Sequence, residues 1–302
     1  MPANLYAYAR VGRAGLGNLL VPWARCEVFA ATHNLPVLAP QWTQPKIGPI
    51  LRGERDKRYY VGLFDHSTYV RGLKRLWLLA RADKVAEQEA AAVVASPPSR
   101  SSVIVFSGLG DILHMFAPLL EHRQLIRRRL TEILSPSVRA RLEAFRHDFV
   151  IGAHVRRGDK PVLPFGHALA PRETSRGFAD EWFINCINNI RAVLGRPVPV
   201  MIFSDARPQQ LSALLALENV SLAGDNPSIV DLLLMARSKV LIASGHSTFS
   251  KWAAFLGQMP SLWYPGSVEV LNPDCPHCET ETALDGSFGD GFAALLRQRL
   301  AR

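Results

Sequence analysis

The second half of the chain alternates between short apolar runs and longer amphipathic segments, and this order constrains the fold more than any other feature. The apolar runs predict strands at 149–155, 198–204, 219–223, 239–243 and 261–264. The segments between them space apolar residues as helices do, and predict helices at 180–194, 208–217, 227–237 and 247–257. Strand and helix in strict turn predict a parallel sheet with helices on both faces.

The first half follows the same pattern more loosely. Apolar runs predict strands at 5–8, 36–38 and 102–106, and a glycine-rich turn leads into a helix that ends at His33. A further helix is predicted from Ala82 to Ala95. We expect two domains, 1–148 and 149–302. The last helix, at about 291–301, could also pack back across the first domain.

The net positive charge of the chain comes entirely from its first half. The net charge is +9; residues 1–150 hold 21 Lys/Arg against 12 Asp/Glu, and residues 151–302 hold 14 of each. Much of the excess lies in two blocks, 71–84 and 123–146. Such a face can attract acidic substrates, nucleic acid or an anionic membrane, or it can be a solvated helix face. No aromatic RNA-binding stripe or zinc finger accompanies it, so we expect no nucleic-acid partner.

The sequence shows no signal for export or membrane insertion. No apolar stretch is long enough to span a bilayer, and Arg10 and Arg13 interrupt the N-terminus before the apolar core of a signal peptide can form. We therefore expect a cytoplasmic protein, with peripheral contact to the inner face of an anionic membrane, through the basic first domain, as an open alternative.

The four cysteines do not form a disulfide scaffold. Cys26 and Cys186 lie in helical apolar patterns, which predicts small core residues. Cys275 and Cys278 have the spacing of half a zinc site, but no second pair completes it, and a structural zinc takes four ligands. We therefore expect no metal.

The run His154-Val155-Arg156-Arg157-Gly158-Asp159 begins where an apolar run stops. Its two arginines emerge at the C-terminal end of a predicted strand, where open α/β sheets bind their ligands. Each guanidinium presents a fixed fork of donors that matches phosphate oxygens. The pair therefore predicts an anion site; the alternative is a pair that bridges to acidic neighbours.

Other candidate residues also lie at predicted strand-to-helix turns. Asp205 ends the run Phe203-Ser204-Asp205, with helix capping as its alternative role. Small hydroxyl residues at 244–250 meet a helix start, which offers N–H groups and partial positive charge to a phosphate. Asp231 begins an apolar helix, where a carboxylate needs partners such as the N–H groups of guanine. The glycine turn 12–18 has fewer constraints than a dinucleotide-binding fingerprint. A tight turn that requires glycines with positive φ explains it equally well.

Together these motifs resemble those of the α-1,2-fucosyltransferases (glycosyltransferase family 11) and the wider superfamily of GDP-fucose-dependent enzymes. The matching segments are Gly15-Leu16-Gly17-Asn18, the run 154–159, Phe203-Ser204-Asp205, the Asp-x-x-x-Met segment 231–235 and the Ser-Thr-Phe-Ser-x-Trp-Ala-Ala block 247–254. Their order and spacing agree over about 15–265. The sequence departs from the family's usual residues at Leu19, Lys160, Ala206-Arg207 and Lys251.

The resemblance implies a GT-B-like fold, with two facing Rossmann-like domains that contain parallel sheets. The first domain would face the acceptor, and the second would bind GDP-fucose. Carried over by position, Arg156 would hold the donor's β-phosphate, and Arg157 would support the loop or the phosphate. His154, in the same motif, is expected in the catalytic site. The residues implied to bind the donor are Gly15, Gly17, Asn18, Asp205, Asp231, Ser247, Thr248 and Phe249, with Asp231 on the guanine.

The activity that the resemblance implies is transfer of fucose, with inversion, from GDP-fucose to a hydroxyl of a glycan acceptor, in α-1,2 linkage. The alternatives are another linkage, another GDP-sugar, or a non-catalytic protein that binds a nucleotide sugar or an anionic surface. The chain lacks an Asp-x-Asp motif, so arginine and a helix start are expected to act where other transferases use a metal. Sequence does not single out the general base among its candidates, which are Asp65, His66, Asp111, His114, His167, Glu173 and Asp180.

Overall fold

The computed structural model describes residues 4–43, 59–111, 114–157, 162–169 and 177–300. These residues form two compact units that divide at 139/140. Each unit is built around its own parallel β-sheet.

The first unit contains a four-stranded sheet of order β2-β1-β4-β3, in which every pair is parallel. Its strands are β1 (Leu5–Arg10), β2 (Val37–Leu38), β3 (Asp83–Ala86) and β4 (Ser102–Ser107). Its helices are α1 (Leu16–His33), α2 (Gly72–Arg81), α3 (Ala90–Ala95) and α4 (Arg123–Glu132), with 3₁₀ turns at Glu87–Glu89 and Ala117–His122. A further helix, α5 (Pro136–Ala144), leads from one unit to the other along the chain.

The second unit contains a six-stranded parallel sheet of order β12-β11-β10-β5-β8-β9. Its strands are β5 (Ile151–Val155), β8 (Val200–Ser204), β9 (Val220–Leu222), β10 (Val240–Ile242), β11 (Ser261–Trp263) and β12 (Glu279–Glu281); a separate parallel pair is formed by β6 (Val162–Leu163) and β7 (Gly177–Phe178). Its helices are α6 (Asp180–Leu194), α7 (Ser212–Leu215), α8 (Ser228–Met235), α9 (Thr248–Gly257) and α10 (Asp290–Leu300). A 3₁₀ turn, Pro208–Leu211, precedes α7.

Local sequence explains why α6 forms with the bounds predicted for it. Asp180 and Glu181 occupy its first turn, where carboxylates complement the positive helix end. Gly195 ends it with φ of +66°, a conformation that glycine adopts without steric cost. Its buried face joins the core of the second unit, and α10 packs on it through Phe292 and Leu296.

One helix prediction is wrong in part. Within the predicted helix from Ala82 to Ala95, Asp83–Ala86 forms the edge strand β3, paired in parallel with β4, and only Ala90–Ala95 is α-helical. The pairing with Ser102–Val105 supplies backbone hydrogen bonds that outweigh helix propensity. Helix α2, in the basic block 71–84, and the edge strand β12 were not predicted from the sequence.

Cys26 and Cys186 are fully buried, which confirms the prediction that they are small core residues. Among the described residues, no three His, Cys, Asp or Glu side chains gather as a metal site would require. No helix in the described ranges combines the length and the apolar character needed to cross a bilayer.

Candidate active site

The second sheet reverses its strand order between β5 and β10. From β5 the chain adds β8 and β9 on one side, and then β10, β11 and β12 on the other. Ligands of open α/β sheets bind at such a reversal, beyond the C-terminal ends of the strands. Arg156 follows β5 and Ser244 follows β10, so the two predicted anion-binding segments flank this one position.

A hydrogen-bonded link joins these two segments. The Nδ1 atom of His154, in β5, lies 2.7 Å from Oγ of Ser250, in α9. The same Oγ accepts the backbone N–H of Ser244 at 3.1 Å. The Phe249 ring lies 5.3 Å from the His154 ring. Strand, loop and helix are therefore held in one arrangement. This link could not be predicted from the sequence because His154 lies far from Ser244 and Ser250 along the chain.

His154 is held in its neutral form. Burial lowers its pKa to about 4; the charge of Asp205 opposes the shift and that of Arg156 adds to it. A neutral imidazole carries one donor and one acceptor nitrogen. Its bond to Ser250 suits a residue that positions the strand end, and His154 is not a cation available to an anion.

We expect His154 to make the protein less stable in mild acid. Its unfolded pKa is near 6.5 and its folded pKa about 4, so between these values the unfolded state binds the proton and the folded state does not. The contribution to stability is complete above pH 6.5 and falls by about 3 kcal/mol as the pH is lowered to 4. Urea unfolding of wild type and His154→Asn at both pH values tests this, and an equal pH dependence in the two proteins would contradict it.

The two arginines of the motif have different surroundings. The backbone N–H of Arg157 donates to Asp205 Oδ1 at 2.8 Å, and its guanidinium bonds the Asp180 carboxylate and the Phe178 carbonyl. The Arg157 side chain is only 8% exposed. Arg157 therefore holds the loop, whereas the Arg156 side chain is half-buried at the strand end.

Asp205 takes part in this loop. Its carboxylate accepts from the Arg157 backbone. The N-cap position of the 3₁₀ turn at 208–211 is Arg207, whose backbone N–H donates to Gln210 Oε1 at 2.9 Å, so Asp205 is not the N-cap residue of that turn. Gly177 packs against the same loop, because a Cβ there would lie 2.8 Å from the Arg156 carbonyl oxygen.

The loop after β10 and the start of α9 are closely packed. Ser247 caps the helix, its Oγ accepting the Ser250 N–H at 3.4 Å. A Cβ on Gly245 would lie 2.7 Å from the Phe178 ring, and His246 adopts φ of +51°, which is uncommon for a residue with a side chain. Thr248 and Phe249 are half-buried in the first turn. Ser244 Oγ is buried without a hydrogen-bond partner among the described residues, as expected where a ligand or water supplies one.

A buried ion pair lies beneath this helix start. Lys251 Nζ is 2.6 Å from Glu269 Oε2, and the two side chains are 5% and 6% exposed. Lys251 is one of the residues at which the sequence departs from the fucosyltransferase pattern, and in the structure it pairs with Glu269.

Asp231 lies at the start of α8, which follows the edge strand β9. Its Oδ1 accepts from Asn226 Nδ2 at 2.9 Å, and Asn226 Oδ1 accepts from Arg141 Nε at 3.0 Å. Neither Asn226 nor Arg141 was predicted from the sequence as a site residue. This chain of polar side chains orients the carboxylate at the C-terminal edge of the sheet.

The glycine turn belongs to the first unit, at the start of α1. Neither Gly12 nor Gly15 has positive φ, so the conformational explanation considered for the turn is wrong. A Cβ on either would meet no atom within 4 Å. Gly17 is buried inside α1, and the backbone N–H of Asn18 donates to Gly15 at 3.0 Å.

The general-base candidates are spread over both units. Asp180 is paired with Arg157, the Asp65 carboxylate accepts from Ser67, and burial lowers the pKa of His66. Asp111 and His114 belong to the first unit, and His167 to the second. Glu173 and residues 158–160 of the motif lie outside the described residues.

An aromatic cleft of about 280 Å³ opens in the first unit, and it was not predicted from the sequence. Trp42 and Phe64 line it with ring centroids 4.3 Å apart, together with His66 and Arg75. Trp42 Nε1 and His66 Nε2 are buried without hydrogen-bond partners among the described residues. The cleft therefore combines aromatic and polar lining residues, as sites for small ligands commonly do.

No protein-family model matches the chain, and no curated protein matches its sequence significantly. Among solved structures it is similar to NodZ α-1,6-fucosyltransferase soaked with GDP-fucose, with 17% identity, a TM-score of 0.51, and coverage of 87% of this chain and 96% of NodZ. It is also similar to a variant of Arabidopsis thaliana FUT1 in complex with GDP, with 12% identity, a TM-score of 0.50, and coverage of 85% and 69%. The predicted fold class, α/β with parallel sheets as in GT-B-like fucosyltransferases, is thereby confirmed.

Proposed function

We propose that the protein is a fucosyltransferase that moves fucose from GDP-fucose to a hydroxyl of a glycan acceptor. The observation that carries the proposal is the juxtaposition of Arg156 with the start of α9 at the strand reversal. The second unit would bind the donor, and the first would bind the acceptor.

In the proposed reaction, the acceptor oxygen bonds to the anomeric carbon while the bond to the β-phosphate breaks. The acceptor's proton is released, and GDP departs with the bonding electrons, with inversion at that carbon. Negative charge grows on the β-phosphate, where the Arg156 guanidinium and the N–H groups of the α9 start would stabilise it. Because these positive groups act on the leaving group, we propose that the reaction needs no metal.

The remaining predicted residues fit supporting roles in this proposal. Asp231, oriented by Asn226, would accept from the N–H groups of guanine. Ser247, Thr248 and Phe249 would contact phosphate and sugar, and Asn18 would bind the donor from the glycine turn. We place the acceptor sugar in the aromatic cleft of the first unit.

We propose α-1,2 linkage, on the strength of the sequence motifs alone. NodZ is an α-1,6-fucosyltransferase, so likeness in fold does not distinguish the linkages. Product analysis has to make this assignment.

A panel of GDP-, UDP- and dTDP-sugars, measured for binding and then for turnover with glycan acceptors, tests the function. We expect GDP-fucose to bind and to turn over in EDTA, with an α-1,2 product. Gln41→Ala, at an exposed residue that lines the cleft, should raise the acceptor KM and leave GDP binding unchanged. Binding of UDP without GDP would overturn the donor assignment, and intact GDP binding without turnover on any acceptor would favour a non-catalytic binding protein.

A further inference from the structure

Helix α2 presents an apolar stripe to solvent. Leu73, Leu76 and Trp77 are 85%, 57% and 56% exposed, and Ala80 is exposed as well. These positions follow the i, i+3, i+4, i+7 spacing that places side chains on one helix face. Leu78, on the opposite side, is buried in the core of the first unit. Helix α2 therefore has two apolar faces, one packed in the core and a second one exposed to solvent.

Positive charge accompanies this stripe. Arg71, Lys74 and Arg81 are exposed, and the helix contains no acidic residue. Lys74 and Arg81 lie about a quarter turn round the helix from the stripe. Arg75 is turned away, since its Nε donates to the Ala39 carbonyl at 2.7 Å.

We propose that α2 is a membrane-docking element, whose stripe of Leu73, Leu76 and Trp77 enters the headgroup region of an anionic bilayer. Leucine and tryptophan beside arginine and lysine is the composition of helices that lie in a membrane interface. Tryptophan favours that depth because its ring is apolar while its N–H stays hydrated. The cations would meet the negative surface potential of anionic lipids.

The positive charge of α2 favours a membrane over a second copy of this chain as the partner that covers the apolar stripe. A symmetric pairing through α2 would bring the cations of two copies together, with no acid in either helix to offset them. An anionic lipid surface complements the same cations. The inference is independent of the proposed reaction, since it requires neither donor nor acceptor.

Vesicle sedimentation of the full chain, with phosphatidylcholine alone or mixed with phosphatidylglycerol, tests the proposal. We expect binding to the anionic vesicles, and about a tenfold or greater loss of it in Leu76→Glu. Val270→Glu is the matched control, because Val270 is 60% exposed in the second unit and receives the same change. Absence of wild-type binding, or equal losses in both variants, would overturn the proposal.

Quenching by lipids with brominated acyl chains tests insertion directly. Part of the tryptophan fluorescence should be quenched on binding, and that part should disappear in Trp77→Phe, which keeps an apolar ring. Quenching that is unchanged in Trp77→Phe would place the contact elsewhere. A dimer in solution that dissociates in Leu76→Glu would assign the stripe to a second copy and overturn the membrane assignment.

Discussion

Replacing Arg156 with alanine should lower kcat/KM for fucosyl transfer by about 100-fold or more. A hydrogen bond to a charged group contributes roughly 1.5–3 kcal/mol, or about tenfold to 100-fold in rate. Groups placed where charge develops in the transition state contribute about 100-fold to 1,000-fold. Arg156 would act on the departing β-phosphate, so the upper part of this range applies.

Two further variants test the role of the Arg156 guanidinium. One tests whether its planar geometry matters beyond its charge, and the other tests whether its position in the chain matters. Arg156→Lys keeps the charge and loses the planar fork, so it should recover part of the activity. Arg157→Ala is the positional control: its guanidinium is engaged by Asp180 and Phe178, so its removal should cost about 2–3 kcal/mol of folding stability. Near-normal turnover in Arg156→Ala would remove Arg156 from the proposed mechanism.

Most of the second half of the fold could be predicted from sequence because most of its elements satisfy several local rules at once. Helix α6 has acidic residues at its start, a glycine after its end and one apolar face, and its predicted bounds agree with the structure. Strand β5 is buried along its whole length, and all of its residues except His154 are apolar.

The first half was harder to predict because tertiary contacts decide its elements. Asp83–Ala86 is mostly exposed and begins with two charged residues, and only its pairing with β4 makes it a strand. Helix α2 exposes apolar residues to solvent, so its sequence does not show the usual helix pattern of one apolar and one polar face. For that reason the segment was interpreted as an irregular, charged block.

The motifs located the candidate site, but the contacts that shape it were not predictable. His154 and Ser250 meet because β5 and β10 are neighbours in the sheet, and that order cannot be read from one sequence. Similarly, the sequence offers no reason to join Lys251 to Glu269, in the loop after β11.

Breaking that last pair should have the largest effect on stability. Glu269→Gln leaves the Lys251 ammonium buried without its countercharge, which costs about 3–5 kcal/mol. The corresponding fall in the unfolding temperature is about 6–20 °C for a unit of this size. Thermal unfolding followed by circular dichroism measures it.

Two controls show whether the unpaired buried charge causes the loss of stability in Glu269→Gln. Glu132 pairs with Arg128 and Arg129 but is 39% exposed, so Glu132→Gln should cost below about 1 kcal/mol. The double variant Lys251→Met/Glu269→Leu removes both charges and should recover most of the loss, because an apolar pair fills the same space without an unpaired ion. If the double variant is as unstable as Glu269→Gln, the pair's geometry, and not its charge balance, holds the start of α9.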